Sequence, residues 1–305
     1  MSAETSLERG ARAGGWFAVL GRAASTRRGA IGISLVVPVI LLAVVGPWLA
    51  PHSTTEFVGL PFARPSAAAW LGTDDVGHDV LSRFLSGGRT IMGLSALATL
   101  LGVGAGACLG LIAGYSRGAT DEGIMRLLDV ALAFPQIIFA LLLVSIVGPE
   151  LWLICLAVAV IHAPQVARVI RAATVQAAEQ SFVEYAEMLG APRRTVIRNE
   201  ILPNVTSPLL VELGLRFTFS VALVASLAFL GLGLQPPASD WGLMINENRL
   251  GIEQNPWGVL APIAVIAVVT IGANLFSDAV AKVALGVDAP IEPSSLDDSP
   301  IGAAA

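Results

Sequence analysis

The sequence predicts an all-α integral membrane protein: six transmembrane helices with a helix-turn-helix loop on the cytoplasmic side. Three observations carry this. The 305 residues are 55% hydrophobic and only 13% charged, with mean hydropathy +0.75, whereas soluble domains carry about 25% charge. Six windows are long and nearly uncharged, at 31–49, 91–114, 127–148, 151–167, 217–234 and 259–276; about 20 such residues cross a hydrocarbon core of about 30 Å. A polar interruption at 168–203 separates the fourth window from the fifth, and a loop that long in a compact protein has structure and a task of its own.

Orientation follows from the arginines, since Lys282 is the only lysine. With a cytoplasmic N-terminus, Arg64, Arg83, Arg89 and Arg249 face outside, and the other 14 of the 18 basic residues face inside. That is the asymmetry of the positive-inside rule. The chain then divides into a cytoplasmic tail (1–29), a first span (30–50), an extracytoplasmic segment (51–89), a core of five spans with the 168–203 loop (90–285), and a disordered cytoplasmic tail (286–305). The first apolar run exceeds an ordinary signal-peptide core and reads as an uncleaved anchor. Cys108 and Cys155 fall inside spans, so no disulfide framework is indicated.

Within the extracytoplasmic segment, Val76, Val80, Leu81 and Phe84 recur at helical intervals. They predict a short amphipathic helix over 75–85, lying at the outer interface, with Asp79 and Arg83 spaced for an ion pair. The second span carries Gly102, Gly106, Gly110 and Gly114, a four-residue spacing that lines one helix face and admits a neighbouring backbone. The same stretch imitates a dinucleotide fingerprint but lacks the preceding strand and water-facing helix that such a site needs. Pro135, Pro164 and Pro262 are expected to kink the third, fourth and sixth spans. Arg126 with Asp129, and Glu212 with Arg216, sit one turn apart as candidate ion pairs. His162, inside the fourth span, is expected to be neutral and hydrogen-bonded to a neighbouring helix, although any intramembrane ionisable group is a functional candidate.

The 168–203 loop has its own punctuation. Ser181 and Glu184 form a Ser-x-x-Glu capping box that opens a helix. Gly190 stands where a left-handed C-terminal cap belongs, Pro192 suits the first turn of a second helix, and Pro203 closes it. Glu184 can cap its own helix, present its carboxylate to a partner, or do both.

Here the chain resembles a known family. Glu184-x-Ala186-x-x-x-Gly190 followed by Ile201-x-Pro203 resembles the "EAA" loop of ABC importer permeases, with Tyr185 in place of that motif's first alanine. Further likeness points to the dipeptide/oligopeptide branch and its C-type subunit. It lies in the stretch from Leu71 through Asp74, Asp75, Gly77 and Asp79 to Arg83, with His78 where many relatives have arginine. Arg126-x-x-Asp129, Arg168-x-x-Arg171, Leu202-Pro203-Asn204 and Pro236-Pro237-x-x-x-Trp241-Gly242 extend it. The resemblance covers nearly everything from about residue 30 to 285 and implies the type I importer permease fold. It implies that Glu184, Ala186, Met188, Leu189 and Gly190 seat in a groove of a cytoplasmic ATPase, with Ser181, Pro192 and Pro203 shaping the loop. It also implies a second homologous permease, two ABC ATPase subunits or domains that bind ATP and magnesium, and an extracytoplasmic substrate-binding protein. The chain itself is expected to hold no cofactor.

A peptide pathway needs weakly polar lining, for which Thr99, Ser145, Thr218, Ser220 and Ser226 are candidates; the alternative is that these hydroxyls bridge helices. Outside, Asp74, Asp75, Asp79, Asp240, Asn246, Glu247 and Arg249 are expected to form a polar face for the receptor. Leu85-Ser86-Gly87-Gly88-Arg89 imitates the signature motif of ABC ATPases, but no Gly-Lys-Ser/Thr phosphate loop exists in this chain; an interfacial turn is the expectation. No metal-binding or catalytic constellation is present in the sequence. Lipid is an expected partner and nucleic acid is not. The expected activity is di- or oligopeptide import at the bacterial plasma membrane, with nickel chelates or glutathione as alternative cargo. An ion-driven secondary transporter is the rival class, but it calls for buried midplane acids, and the apolar windows offer none.

Overall fold

The apolar windows fold as helices that overrun most of their expected limits. A computed structural model describes residues 16–116 and 118–284. Its helices are α1 (Trp16–Ser25), α2 (Arg27–Leu49), α3 (Val80–Ser116), α4 (Gly118–Ala133), α5 (Gln136–Val147), α6 (Leu151–Ala178) and α7 (Ser181–Met188). Next comes α8, which runs from Arg193–Val196 through a π-helical turn at Ile197–Ile201 to Leu202–Asn204. Then follow α9 (Thr206–Phe229), α10 (Trp241–Asn248) and α11 (Trp257–Ala284). The tail expected at 286–305 lies outside the described residues, while the end of the expected N-terminal tail is helical in α1 and the start of α2.

Among the described residues five helices, α2, α3, α6, α9 and α11, are long and apolar enough to cross a membrane. The pair α4 and α5, bent by 83°, makes a sixth crossing only when the two are counted as one span. Pro135 explains the break: it lacks an N–H and disfavours helical backbone at Phe134. What the sequence suggested as a kink is a separation into two helices. Pro164 and Pro262, by contrast, sit within continuous helices.

The separate amphipathic helix expected at 75–85 does not exist. Residues 75–79 form a turn, and Val80 begins the 37-residue α3. Asp79 does not pair with Arg83; its Oδ2 accepts from the Ser82 N–H at 2.9 Å and the Ser82 hydroxyl at 2.6 Å, closing the first turn of α3. Leu85–Arg89 is likewise helix rather than turn. A Cβ on Gly88 would stand 2.5 Å from the Trp241 ring, so the apparent ATPase motif is a seat for an indole.

The four glycines of α3 do meet a neighbour, and it is α6. A Cβ added at Gly102, Gly106 or Gly110 would lie 2.8, 2.6 or 2.6 Å from the carbonyl oxygens of Ala159, Ala163 and Ala167. Backbones can touch at this range only where side chains are missing. Helix α6 continues to Ala178 and so takes up the first part of the expected polar loop. Ion pairs tie α4 to it: Arg171 donates to Asp121 at 2.6 Å, and Asp129 pairs with Arg168 instead of Arg126, which pairs with Glu122. Glu212 and Arg216 pair as expected, at 2.8 Å. His162 is fully buried, with Nε2 3.0 Å from the Ser220 hydroxyl of α9.

Candidate functional site

The hairpin of α7 and α8 is built from its turn outward. Gly190 has φ +76°, its N–H donates to Glu187 O at 2.9 Å, and the Ala191 N–H donates to Ala186 O at 3.1 Å. Those two bonds define a Schellman cap, with glycine at its left-handed position. The other end departs from expectation. Gln180 is the N-cap of α7 and makes no side-chain cap bond, so Ser181 is the first helical residue and the capping box with Glu184 is absent. Pro192 is itself the N-cap of α8. Pro203 lies inside the last helical turn, two positions after the end of the π-helical stretch. Because Pro203 cannot donate to the carbonyl four residues back, a widened turn just before it relieves the mismatch.

The two faces of this hairpin differ. Val183, Val196, Ile201 and Val205 are at most 1% exposed and pack with Ala177, Leu111 and Tyr115 on the ends of α6 and α3. The Tyr115 hydroxyl donates to Glu187 Oε1 at 2.7 Å. The opposite face carries Tyr185, Met188 and Leu189, exposed by 65, 74 and 70%, with Glu184 and Gly190 beside them and Ala186 half-buried. Three large apolar side chains thus project from a rigid, well-anchored element.

The opposite end of the bundle is closed by residues 50–79, a cap threaded by backbone bonds such as Phe62 N–H to Asp74 O (2.8 Å) and Val58 N–H to Gly77 O (2.9 Å). Asn255 clamps it to the start of α11, donating to Leu71 O and Thr73 O at 2.9 Å each. The polar face expected here is largely interior: Asp74, Asp79 and Asp240 are buried. Asp74 Oδ1 accepts three cap N–H groups, from Val76, Gly77 and His78, and its Oδ2 pairs with buried Arg83. Burial works to raise the Asp74 pKa, yet the guanidinium and the amide donors outweigh it and the net direction is down. Asp240 caps α10 by accepting from Gly242 N–H at 2.9 Å, while burial pushes its carboxyl up to about 6. Only Arg249 of the expected set is fully exposed; Asp75, Asn246 and Glu247 are half-buried.

Comparison with known proteins agrees with this architecture. Residues 106–284 match the family described as "binding-protein-dependent transport system inner membrane component". The dipeptide transport system permease protein DppC of Alkalihalophilus pseudofirmus is 36% identical over 251 residues, covering 81% of this chain and 82% of the relative. The glutathione transport system permease protein GsiD is 36% identical in Pectobacterium atrosepticum (79% and 81% covered) and 34% identical in Escherichia coli O157:H7 (80% and 81% covered). The chain belongs to this family. It is a multi-pass membrane permease of the dipeptide/oligopeptide ABC importer type, a transport protein rather than an enzyme.

In such a permease the remaining candidates separate by location. Thr99 is buried and donates to the Ser220 hydroxyl at 2.9 Å, joining α3 to α9, and Ser220 in turn meets His162. Thr218 is buried and bonded within α9. Ser226 donates to Ala222 O on its own helix, and Ser145 is exposed on α5. Thr99, Ser220 and His162 therefore converge between three helices, while Ser145 and Ser226 stand apart from them. Sequence reasoning missed Tyr115 and Asn255, each of which fixes one end of the bundle. Neither sits in a periodic or motif context that would have singled it out.

Proposed function

We propose that the α7–α8 hairpin is the element through which a separate ATPase drives this permease, with the hairpin and both termini cytoplasmic and the 50–79 cap outside. The observation that carries this is the pairing of a buried inner face, tied to α3 and α6, with the exposed outer trio Tyr185, Met188 and Leu189. An isolated soluble surface gains nothing from such a trio, whereas docking would bury it. At about 1.5–3 kcal/mol for each large apolar side chain buried, the trio contributes on the order of 6 kcal/mol before the costs of association. The Schellman turn and the packed inner face make the hairpin stiff, so a push on α7 moves α3 and α6 instead of being absorbed. Glu184, Ala186, Met188, Leu189 and Gly190 form the contact; Ser181, Pro192 and Pro203 set its shape. ATP and magnesium belong to the partner ATPases, of which two serve a pair of permeases.

The cargo in this proposal is a short peptide, as the relative named for dipeptide transport suggests. Glutathione is a second reading, favoured by the equal 36% identity to a relative named for it. An extracytoplasmic binding protein delivers the cargo at the cap end, where Arg249, Asn246 and Asp75 are its accessible polar contacts. Thr99, Thr218 and Ser220 line the route once the bundle opens, with Ser145 and Ser226 at its margins. The test is site-specific crosslinking: a cysteine at Met188 should join a nucleotide-hydrolysing subunit in transporting cells. Absence of any such product, while Tyr185 and Met188 cysteines react freely with soluble reagents during transport, would remove the basis of the proposal.

A further inference from the structure

The charges beneath the cap do not balance. Arg83 is the one cation in the buried group, only 2% exposed, and its Nη1 is taken by Asp74. That pair is neutral, and Asp74 is fully satisfied by three amides. Two further carboxylates, Asp75 of the cap and Glu247 of α10, remain beside it. Arg83 Nη2 approaches Glu247 Oε2 to 2.8 Å, but off the line of a hydrogen bond, since Oε2 has no hydrogen-bond partner. Asp75 Oδ1, Arg83 Nε and Ser239 Oγ are also buried without partners. Half-satisfied groups of this kind are costly where water is scarce, and two surplus carboxylates sharing one already paired guanidinium cannot both stay ionised cheaply.

We propose that Asp75 and Glu247 form a proton-operated latch between the 50–79 cap and α10: with a proton held by the pair the cap closes on α10, and its loss loosens the cap. The charged groups acting on Glu247 are Asp74 and Asp75 from the cap and Arg83 of α3, and His78 of the cap acts on Asp75. On α10 and its flanks stand Asp240, which caps the N-terminus, and Arg249, whose guanidinium turns out to Asn246 O. His78 Nδ1 lies 3.1 Å from Asp74 Oδ2. Burial raises Asp75, and the Asp74 charge adds to it. Burial also pushes Glu247 up to about 7 against the pull of Arg83. The folded pKa of Glu247 is raised, so the latch is fully engaged below the ordinary glutamate range and disengages as pH rises through about 7. The device concerns the cap alone and does not depend on what the hairpin docks against.

Hydrogen exchange over residues 71–80, in the full chain purified in mild detergent with its accompanying subunits, reads the latch directly. After correction for intrinsic exchange, one proton predicts that cap opening rises about tenfold between about pH 6 and about pH 8. Glu247→Gln should hold the opening constant within about twofold over that range. A flat wild-type profile, or an undiminished rise in Glu247→Gln, overturns the proposal. If Glu247→Gln has lost protection at every pH, Asp75→Asn decides. Removing the neighbouring negative charge should move the wild-type midpoint to lower pH, and an unmoved midpoint overturns the proposal equally.

Discussion

Replacing Gly190 by valine tests the hairpin most sharply, because the structure separates its two possible costs. No atom outside the turn lies within 4 Å of where the new Cβ would be, so no clash arises. The cost is backbone strain: at φ +76° an ordinary L-residue loses about 1–2 kcal/mol, and a β-branched one lies at or above the top of that range. If the turn opens to escape it, the two Schellman bonds are lost at about 1 kcal/mol each. A total of about 2–3 kcal/mol then falls on the turn alone. The expected result in reconstituted vesicles is uptake reduced by tenfold or more, with the bundle's thermal midpoint lowered by only a few degrees. Gly190→Asn, which tolerates the left-handed conformation, should retain most of the uptake. Wild-type transport by Gly190→Val would refute the reasoning. Equal failure of the asparagine and valine variants would show that side-chain bulk at the docking face matters and not the turn.

Three other outcomes follow from particular contacts. Gly106→Leu should force α3 from α6, since even a Cβ there would meet Ala163 O at 2.6 Å; overpacking of about 1–3 kcal/mol should appear in thermal unfolding, whereas Gly104→Ala, with no neighbour within 4 Å, should be silent. Arg83→Met leaves buried Asp74 without its counter-charge and should cost about 3–5 kcal/mol, while Arg83→Met with Asp74→Asn should recover part of that in the same melt. Asp240 has a folded pKa raised to about 6, so its contribution is present below the ordinary aspartate range and is lost as pH climbs through about 6. Asp240→Asn should flatten that part of a stability-versus-pH profile while keeping a cap for α10.

Much of this molecule was legible in the sequence, because lipid imposes a simple rule: long uncharged runs become helices. The glycine face of α3 and the turn at Gly190 were equally plain, each depending on one residue type at one spacing. What failed was local chemistry with several solutions. Ser181 and Glu184 fit a capping box in sequence, yet the chain enters α7 one residue earlier, at Gln180. Asp79 and Arg83 are correctly spaced for an ion pair, but Arg83 is drawn to Asp74 and Glu247 across the cap, partners far from a helical spacing. The polar segment expected to be surface turned inward for the same reason: Asp74, Asp79 and Asp240 are used up holding backbone amides. Spacing reports what a helix permits and cannot report which of several partners a folded loop brings closer.

One rod touches both working ends of this bundle. Helix α3 reaches from Arg83 under the cap to Tyr115, whose hydroxyl holds Glu187 of the hairpin, and its 37 residues span about 55 Å at 1.5 Å each. Tilting such a rod by a single degree about one end sweeps the other through about 1 Å, more than a hydrogen bond tolerates. Sub-ångström fidelity at the Tyr115 contact would therefore be felt as opening or closing at Arg83. A Tyr115→Phe substitution, which slackens that joint, belongs among the first places to look for leverage lost between the two membrane faces.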